Sequence, residues 1–151
     1  MLATNASASA THHEHRLAVV KRLQHGLRGF PLSGQAYALE AAGHRYRVSP
    51  YFMAAASGVE STFGRQPCSG NPRNIWGLGA CNSAWRVPYF DTWREAFSYY
   101  ARFLKRTWPR AQTAYHFYGY SACDSCWGRK VAYYMSYFFD SGPSVRYPMR
   151  P

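Results

Sequence analysis

The segment PYFMAAASGVE, residues 50–60, constrains the fold more than any other part of this sequence. Ser49 followed by Pro50 is a helix start signal, because Ser suits the N-cap and Pro suits the first helical position. Residues 54–58 are all small, so neighbouring elements can approach this helix closely. We therefore expect a helix over residues 50–60, with other elements packed closely around it.

Four further segments show the apolar spacing of helices. In the segment Thr92-x-x-Glu95 we recognise a capping box, which predicts a helix start and assigns Glu95 to capping rather than to catalysis. A helix stop is expected at Gly43. The predicted helices cover residues 14–27, 34–42, about 92–104 and 127–139.

Residues 65–90 differ in character, since they are rich in Gly, Pro, Asn and aromatic residues. The segments 74–79 and 85–90 flank a turn expected near Asn82 and predict a β-hairpin. Helices on both sides of one small β segment indicate an α+β fold, mainly helical with a small β-hairpin lobe. We expect a disordered leader over residues 1–13 and a single domain over residues 14–151.

The charge balance favours an anionic partner. The chain has 18 Lys and Arg against 7 Asp and Glu, a formal net charge of +11. A nucleic-acid-binding protein would be expected to cluster its basic residues or to carry a known binding motif, and the sequence has neither. Its longest apolar runs are far shorter than the roughly 20 residues of a membrane span. Charge alone does not choose among nucleic acid, acidic lipid and bacterial cell-wall polymer. We expect an anionic cell-wall surface as the partner, with no nucleic acid and no membrane span.

The four cysteines favour disulfides over zinc. Only Cys123 and Cys126 show the close spacing of a zinc half-site, and no βαβ pattern supports a redox function. We favour the pairs Cys68–Cys81 and Cys123–Cys126, although three pairings are formally possible. Disulfides indicate a secreted, cell-wall or periplasmic protein, yet residues 1–15 show no signal peptide.

Glu60 is the candidate catalytic residue. It shares a helix face with Met53, Ala56 and Ser57, although a Glu at a helix end is usually just solvated. A carboxyl partly removed from water has a raised pKa, as a general acid near neutral pH requires. Protonation of a glycosidic oxygen is a common task for such a group.

Four blocks give the sequence a family resemblance: SPYFMAAASGVESTFG, NIWGLGACNSAW, PYFDTWREAFSYYARFL and GYSACDSCWGRKV. In this order they resemble the flagellar-glucosaminidase-like peptidoglycan hydrolases, glycoside hydrolase family 73, of the lysozyme-like superfamily. The resemblance implies a lysozyme-like domain that cuts peptidoglycan as an endo-β-N-acetylglucosaminidase, without a metal or another cofactor. It implies that Glu60 is the catalytic acid and that Tyr120, in the Gly-Tyr block, lies close to it. It also implies that Asn74, Trp76 and Gly77 line the cleft, although these three equally suit turn and core structure.

A second catalytic carboxylate is missing from the expected place. Glycosidases that invert or retain by direct displacement need one across the sugar ring, and residues 61–90 contain no Asp or Glu. Asp91 and Asp124 are the nearest candidates, but neither matches a family position. We therefore expect a single acid, with attack either by the substrate's N-acetyl oxygen, steadied by Tyr120, or by the muramic 6-hydroxyl. The second route is that of a lytic transglycosylase, and an N-acetylmuramidase is a further alternative.

Aromatic residues supply candidate sugar-binding faces. Trp76, Trp85, Tyr89 and Tyr115 are assigned this role, although each could equally be core. The partners expected are peptidoglycan glycan strands and the anionic wall surface, bound by a monomer. A different class remains open, a non-catalytic cell-wall-binding module, which would keep the aromatic residues but would not need Glu60.

Overall fold

The computed structural model describes residues 3–68, 70–81, 87–110, 121 and 123–139, apart from the side chains of residues 3–9, 80, 81 and 124. Five α-helices make up most of this part of the chain. They are α1 (Ala3–Gly26), α2 (Ala36–Tyr46), α3 (Pro50–Ser61), α4 (Trp93–Thr107) and α5 (Asp124–Met135). Short 3₁₀ helices cover Pro31–Gln35, Leu78–Cys81 and Ser136–Phe138.

Other elements pack closely against helix α3, as its small residues predict. It packs against α2 and α5, and α2 also contacts α1 and α4. Every residue from Phe52 to Gly58 is buried. Gly58 shows why small residues are needed, since a Cβ there would lie 2.7 Å from the Phe63 ring and 2.9 Å from the Tyr134 ring. The buried Ser57 hydroxyl is satisfied within the helix by donating to the Ala54 carbonyl at 2.7 Å.

The predicted starts of α3 and α4 are confirmed. The Ser49 hydroxyl accepts from the Phe52 N–H, with Pro50 as the first residue of α3. The Thr92 hydroxyl accepts from the Glu95 N–H, and the Glu95 carboxylate accepts from the Thr92 N–H, which completes the capping box. Glu95 is therefore a capping residue.

Several predicted helix boundaries differ from the structure. The last helix, predicted over residues 127–139, begins at Asp124 and ends at Met135, where a 3₁₀ helix follows. Helix α1 begins at Ala3, upstream of residue 14. Helix α2 continues past Gly43 to Tyr46 and ends with Arg47 in the left-handed conformation, at φ 55°. Gly43 is needed for close packing instead, because a Cβ there would lie 2.7 Å from the Val48 carbonyl oxygen.

The α+β prediction with a β-hairpin lobe is wrong: the described residues contain helices and turns but no strand. In the first half of the expected hairpin, Gly77 and Gly79 have φ values of 63° and 73°, which break an extended backbone. The Asn74 side chain also donates to the Leu78 carbonyl and accepts from its N–H, at 2.8 and 3.1 Å. These two hydrogen bonds close residues 74–78 into a compact turn.

The second half of the expected hairpin is held by side chains rather than by a strand ladder. The Asn71 amide donates to the Pro88 carbonyl at 3.0 Å, and Arg73 donates to the Phe90 carbonyl at 2.9 Å. Two backbone carbonyls that could pair in a sheet are thus bound by polar side chains from 17 residues earlier in the chain. The turn expected near Asn82 lies outside the described residues.

Of the predicted disulfides, Cys123–Cys126 is present. Cys68 is also disulfide-bonded, but the side chain of its predicted partner, Cys81, lies outside the described part. The division into a leader and a single domain stays a prediction.

Candidate active site around Glu60

The Glu60 side chain is held at the end of α3 by an unusual turn. Thr62 and Phe63 both adopt the left-handed conformation, at φ 52° and 55°, followed by Gly64 at φ 88°. A left-handed residue other than Gly costs about 1–2 kcal/mol. The Phe63 ring, fully buried, offsets this cost by packing against Phe30 and Tyr134.

Hydrogen bonds fix the same turn. The Thr62 and Phe63 N–H groups donate to the Gly58 and Ser57 carbonyls, each at 3.1 Å. The Ser61 hydroxyl donates to the Ser57 carbonyl and accepts from the Gly64 N–H, both at 3.0 Å. The chain direction just after Glu60 is therefore firmly set.

Helix α5 supplies the hydrogen-bond partner of Glu60. The indole Nε1 of Trp127 donates to Glu60 Oε1 at 2.6 Å. Trp127 is buried, with its ring edge against Phe52, so its indole N–H has a fixed direction. Trp127 directly follows the Cys123–Cys126 disulfide, which closes the first turn of α5, and Cys123 Sγ also accepts from the Cys126 N–H. The disulfide thus braces the turn that presents the indole.

The other carboxylate oxygen faces the turn over residues 74–78. A Cβ added to Gly77 would lie 3.7 Å from Glu60 Oε2, so the Gly77 backbone borders the carboxyl group. Because Gly has no side chain, a ligand can approach this border more closely than it could beside any other residue. Among the residues that the structure describes, Gly77 is thus a predicted cleft residue that lies next to Glu60.

The surroundings raise the pKa of Glu60 above its usual value. Burial is the main cause, while the hydrogen bond from Trp127 and the positive charge of Lys130 act in the opposite direction. The Glu60 residue nevertheless keeps an exposed surface. The surrounding protein thus disfavours the ionised form of Glu60 but leaves part of the residue open to solvent. A group that exchanges protons with a substrate needs both features.

Two other predicted cleft residues are parts of the scaffold. Trp76 is 1% exposed, stacks on Tyr100 at 4.1 Å and donates its indole N–H to the Met53 carbonyl. Both faces of its ring are thus inside the core, where no sugar can reach them. Asn74 is buried, and its amide is used in closing the turn to Leu78.

The remaining predicted site residues are dispersed. Tyr89 is 57% exposed and available to solvent. Asp91 is exposed, and its N–H donates to the Glu95 carboxylate at the start of α4. Tyr115, Tyr120, Trp85 and the side chain of Asp124 lie outside the described part of the structure.

Sequence reasoning missed Trp127 and Lys130 as neighbours of Glu60. Trp127 was expected only as part of the apolar stripe of the last helix. A buried Trp usually finds a partner for its N–H, which is a signal that the sequence carries. Which partner it finds depends on how α3 and α5 cross, and no sequence pattern gives that.

Comparisons with known proteins identify no relative. No family model matches the chain, and no match is found among curated proteins or solved structures. Within the described residues, no helix is both long and apolar enough to cross a membrane, and no group of three or more His, Cys, Asp or Glu side chains could hold a metal ion.

Proposed function

We propose that this protein is a peptidoglycan-cleaving glycosidase of the endo-β-N-acetylglucosaminidase type, with Glu60 as its general acid and base. The observation that carries the proposal is the environment of the Glu60 carboxyl. It combines an exposed edge, a raised pKa and a fixed hydrogen bond from Trp127. The block order that resembles the flagellar-glucosaminidase-like hydrolases suggests the substrate class.

Each part of this arrangement has a chemical use. In its protonated form Glu60 can donate to the glycosidic oxygen, and the resulting carboxylate can then accept a proton from the attacking group. The Trp127 indole fixes one oxygen of the carboxyl group in both states. Because Gly77 has no side chain, there is room for a sugar beside the other carboxylate oxygen.

A single acid suits the two routes set out above. In one, the N-acetyl oxygen of the substrate attacks the anomeric carbon, and water then opens the intermediate. In the other, the muramic 6-hydroxyl attacks and the product carries a 1,6-anhydro ring. Neither route needs a second protein carboxylate across the sugar ring.

The net charge of +11 supports a wall-bound enzyme. A basic surface attracts an anionic polymer and raises its local concentration near the site. We propose secretion to the cell wall or periplasm on the same grounds, together with the Cys123–Cys126 disulfide, since disulfides persist in oxidising compartments.

The test is digestion of purified peptidoglycan by the wild type and by Glu60→Gln, with products identified by mass spectrometry. Loss of the general acid is expected to slow release by about 10²–10⁴-fold. Glu14→Gln, at an exposed carboxylate on α1, is the matched control and should keep full activity.

The products decide between the routes. Reducing-end N-acetylglucosamine would support the glucosaminidase, whereas anhydromuramic ends would identify a transglycosylase and reducing-end N-acetylmuramic acid a muramidase. A wild type that releases nothing, or a Glu60→Gln variant as active as the wild type, would refute the catalytic proposal. If such a wild type still pellets with the wall, the non-catalytic binding module becomes the better account.

A further inference from the structure

Two neighbouring tyrosines at the end of α5 are unusually open to solvent. Tyr133 is 51% exposed and Tyr137 is 37% exposed, and their ring centroids lie 5.6 Å apart. Among the large apolar side chains of the described residues, only Tyr37 and Tyr89 are similarly exposed. Single exposed aromatic residues are ordinary, but adjoining ones form a patch that more often marks a binding surface.

This patch continues from the candidate site. Lys130, Tyr133 and Tyr137 follow the helical spacing i, i+3, i+7 and so share one side of α5 and its 3₁₀ extension. We call these three residues the tyrosine face. It lies on the same helix as Trp127, whose indole donates to the Glu60 carboxylate at 2.6 Å. From Lys130 to Tyr133 the helix rises only about 4.5 Å.

The tyrosine face rests on a rigid base. Tyr134 lies beneath it and contacts both exposed rings, each at a centroid distance of 5.4 Å. Tyr134 in turn packs on Gly58 and on Phe63, in the left-handed turn that follows Glu60. Little side-chain freedom should therefore be lost when a ligand binds these rings.

The hydroxyl groups of the face are linked as well. A hydrogen bond to Tyr133, helped by burial and by the neighbouring phenols, raises the pKa of Tyr137 to about 12. Tyr137 is thus neutral at any physiological pH. Each offers an apolar ring together with a polar edge, a combination suited to ligands that are apolar on their faces and polar at their rims.

We propose that the tyrosine face binds the glycan strand on one side of the cleavage point, with pyranose rings lying on Tyr133 and Tyr137. Lys130 adds a positive charge that would attract the carboxylates of an anionic wall polysaccharide. This inference rests on the proposed substrate class, and it concerns binding rather than catalysis. Single-stranded nucleic acid is the competing ligand class, since bases also stack on aromatic rings beside cations.

The experiment measures pelleting of the full chain with purified peptidoglycan. The Glu60→Gln variant serves as parent, so that the polymer is not digested during the measurement. Tyr133→Ala combined with Tyr137→Ala is expected to weaken binding about tenfold, through lost ring contact. Tyr133→Phe with Tyr137→Phe keeps the rings and should stay within about twofold of the parent.

Tyr37→Ala is the matched control, because it removes an equally exposed ring elsewhere on the surface. It should bind like the parent. Circular dichroism checks that each variant folds. If the double Ala variant does not fold, Tyr133→Ala alone tests the more exposed ring, with about threefold weaker binding expected.

The outcomes separate this inference from the catalytic proposal. Unchanged binding by the Ala variants, or an equal loss in the Tyr37 control, would overturn the tyrosine face whether or not Glu60 proves catalytic. Selective loss of binding would uphold it even if the wild type cleaves nothing. A larger effect on a single-stranded oligonucleotide than on peptidoglycan would overturn it in favour of a nucleic-acid surface.

Discussion

Glu40 and Glu60 lie on adjacent helices and have opposite surroundings. Glu40, on α2, is 5% exposed, and its two oxygens accept from Nε and Nη2 of Arg16, each at 2.7 Å. Glu60, on α3, accepts from the neutral indole of Trp127 and keeps an exposed surface. The more deeply buried carboxylate is therefore the one with a matched charge.

The difference teaches which carboxylate is available for chemistry. A bidentate pair with a guanidinium fixes Glu40 between α1 and α2, and the same hydrogen bond raises the pKa of Arg16. A buried carboxylate paired in this way holds two helices together. The described hydrogen bond to Glu60 comes from a neutral indole rather than from a guanidinium. Burial therefore raises the pKa of Glu60, and its carboxyl group can hold a proton and release it.

The largest expected effect comes from removing the partner of Glu40. Arg16→Met keeps a long side chain but leaves the buried carboxylate without its charge partner. The unfolding free energy should fall by about 2–4 kcal/mol, less than for a fully buried pair because the Arg16 side chain is 37% exposed. Urea unfolding measures this change. Arg102→Met, at an exposed position on α4, is the control and should stay within about 0.5 kcal/mol of the wild type. Equal small effects at both positions would mean that Glu40 is not held by this pair.

The second prediction concerns Trp127→Phe. The change keeps an aromatic ring but removes the donor to Glu60, so the pKa of Glu60 should rise further. The lost bond should also lower the unfolding free energy by about 1.5–3 kcal/mol. Carboxyl NMR of the chain's four glutamates, with Glu60→Gln to assign the signal, follows the titration.

The matched control for Trp127→Phe is Trp93→Phe, at a half-buried ring that stacks on Phe97. It should leave the Glu60 titration unchanged. A pKa of Glu60 that falls in Trp127→Phe, or that moves equally in both variants, would show that the indole does not hold the carboxylate.

The smallest effect is the pH dependence of stability. Because the pKa of Glu60 is raised in the folded protein, its contribution is fully present below the unfolded value of about 4.3 and is lost as pH rises through the folded pKa. We therefore expect the melting temperature of the wild type, relative to Glu60→Gln, to fall as pH rises across that window. A difference that stays flat or grows with pH would contradict the raised pKa.

The sequence was most informative where a residue acts on its own segment. Ser49 and Pro50 start α3, and the pair Thr92 and Glu95 starts α4, because a cap bonds to backbone only a few residues away. The small residues of α3 predicted its close packing for a related reason: volume is a property of each side chain by itself.

Predictions failed where a residue could serve either of two purposes. Gly43 can end a helix or admit a close neighbour, and the approach of Val48 decided for the second. Residues 74–79 alternate enough to suggest a strand, yet Asn74 closes them into a turn. Local side-chain bonds compete with strand pairing, and the pattern of apolar residues does not reveal which one wins.

By itself, then, the sequence determined a mainly helical chain with a closely packed helix α3 and Glu60 at its end. The tertiary structure decided what surrounds each carboxylate: Arg16 across from Glu40, and Trp127, Lys130 and Gly77 beside Glu60. The physical reason is distance along the chain. Trp127 lies 67 residues from Glu60, and only the crossing of α3 and α5 brings the two together.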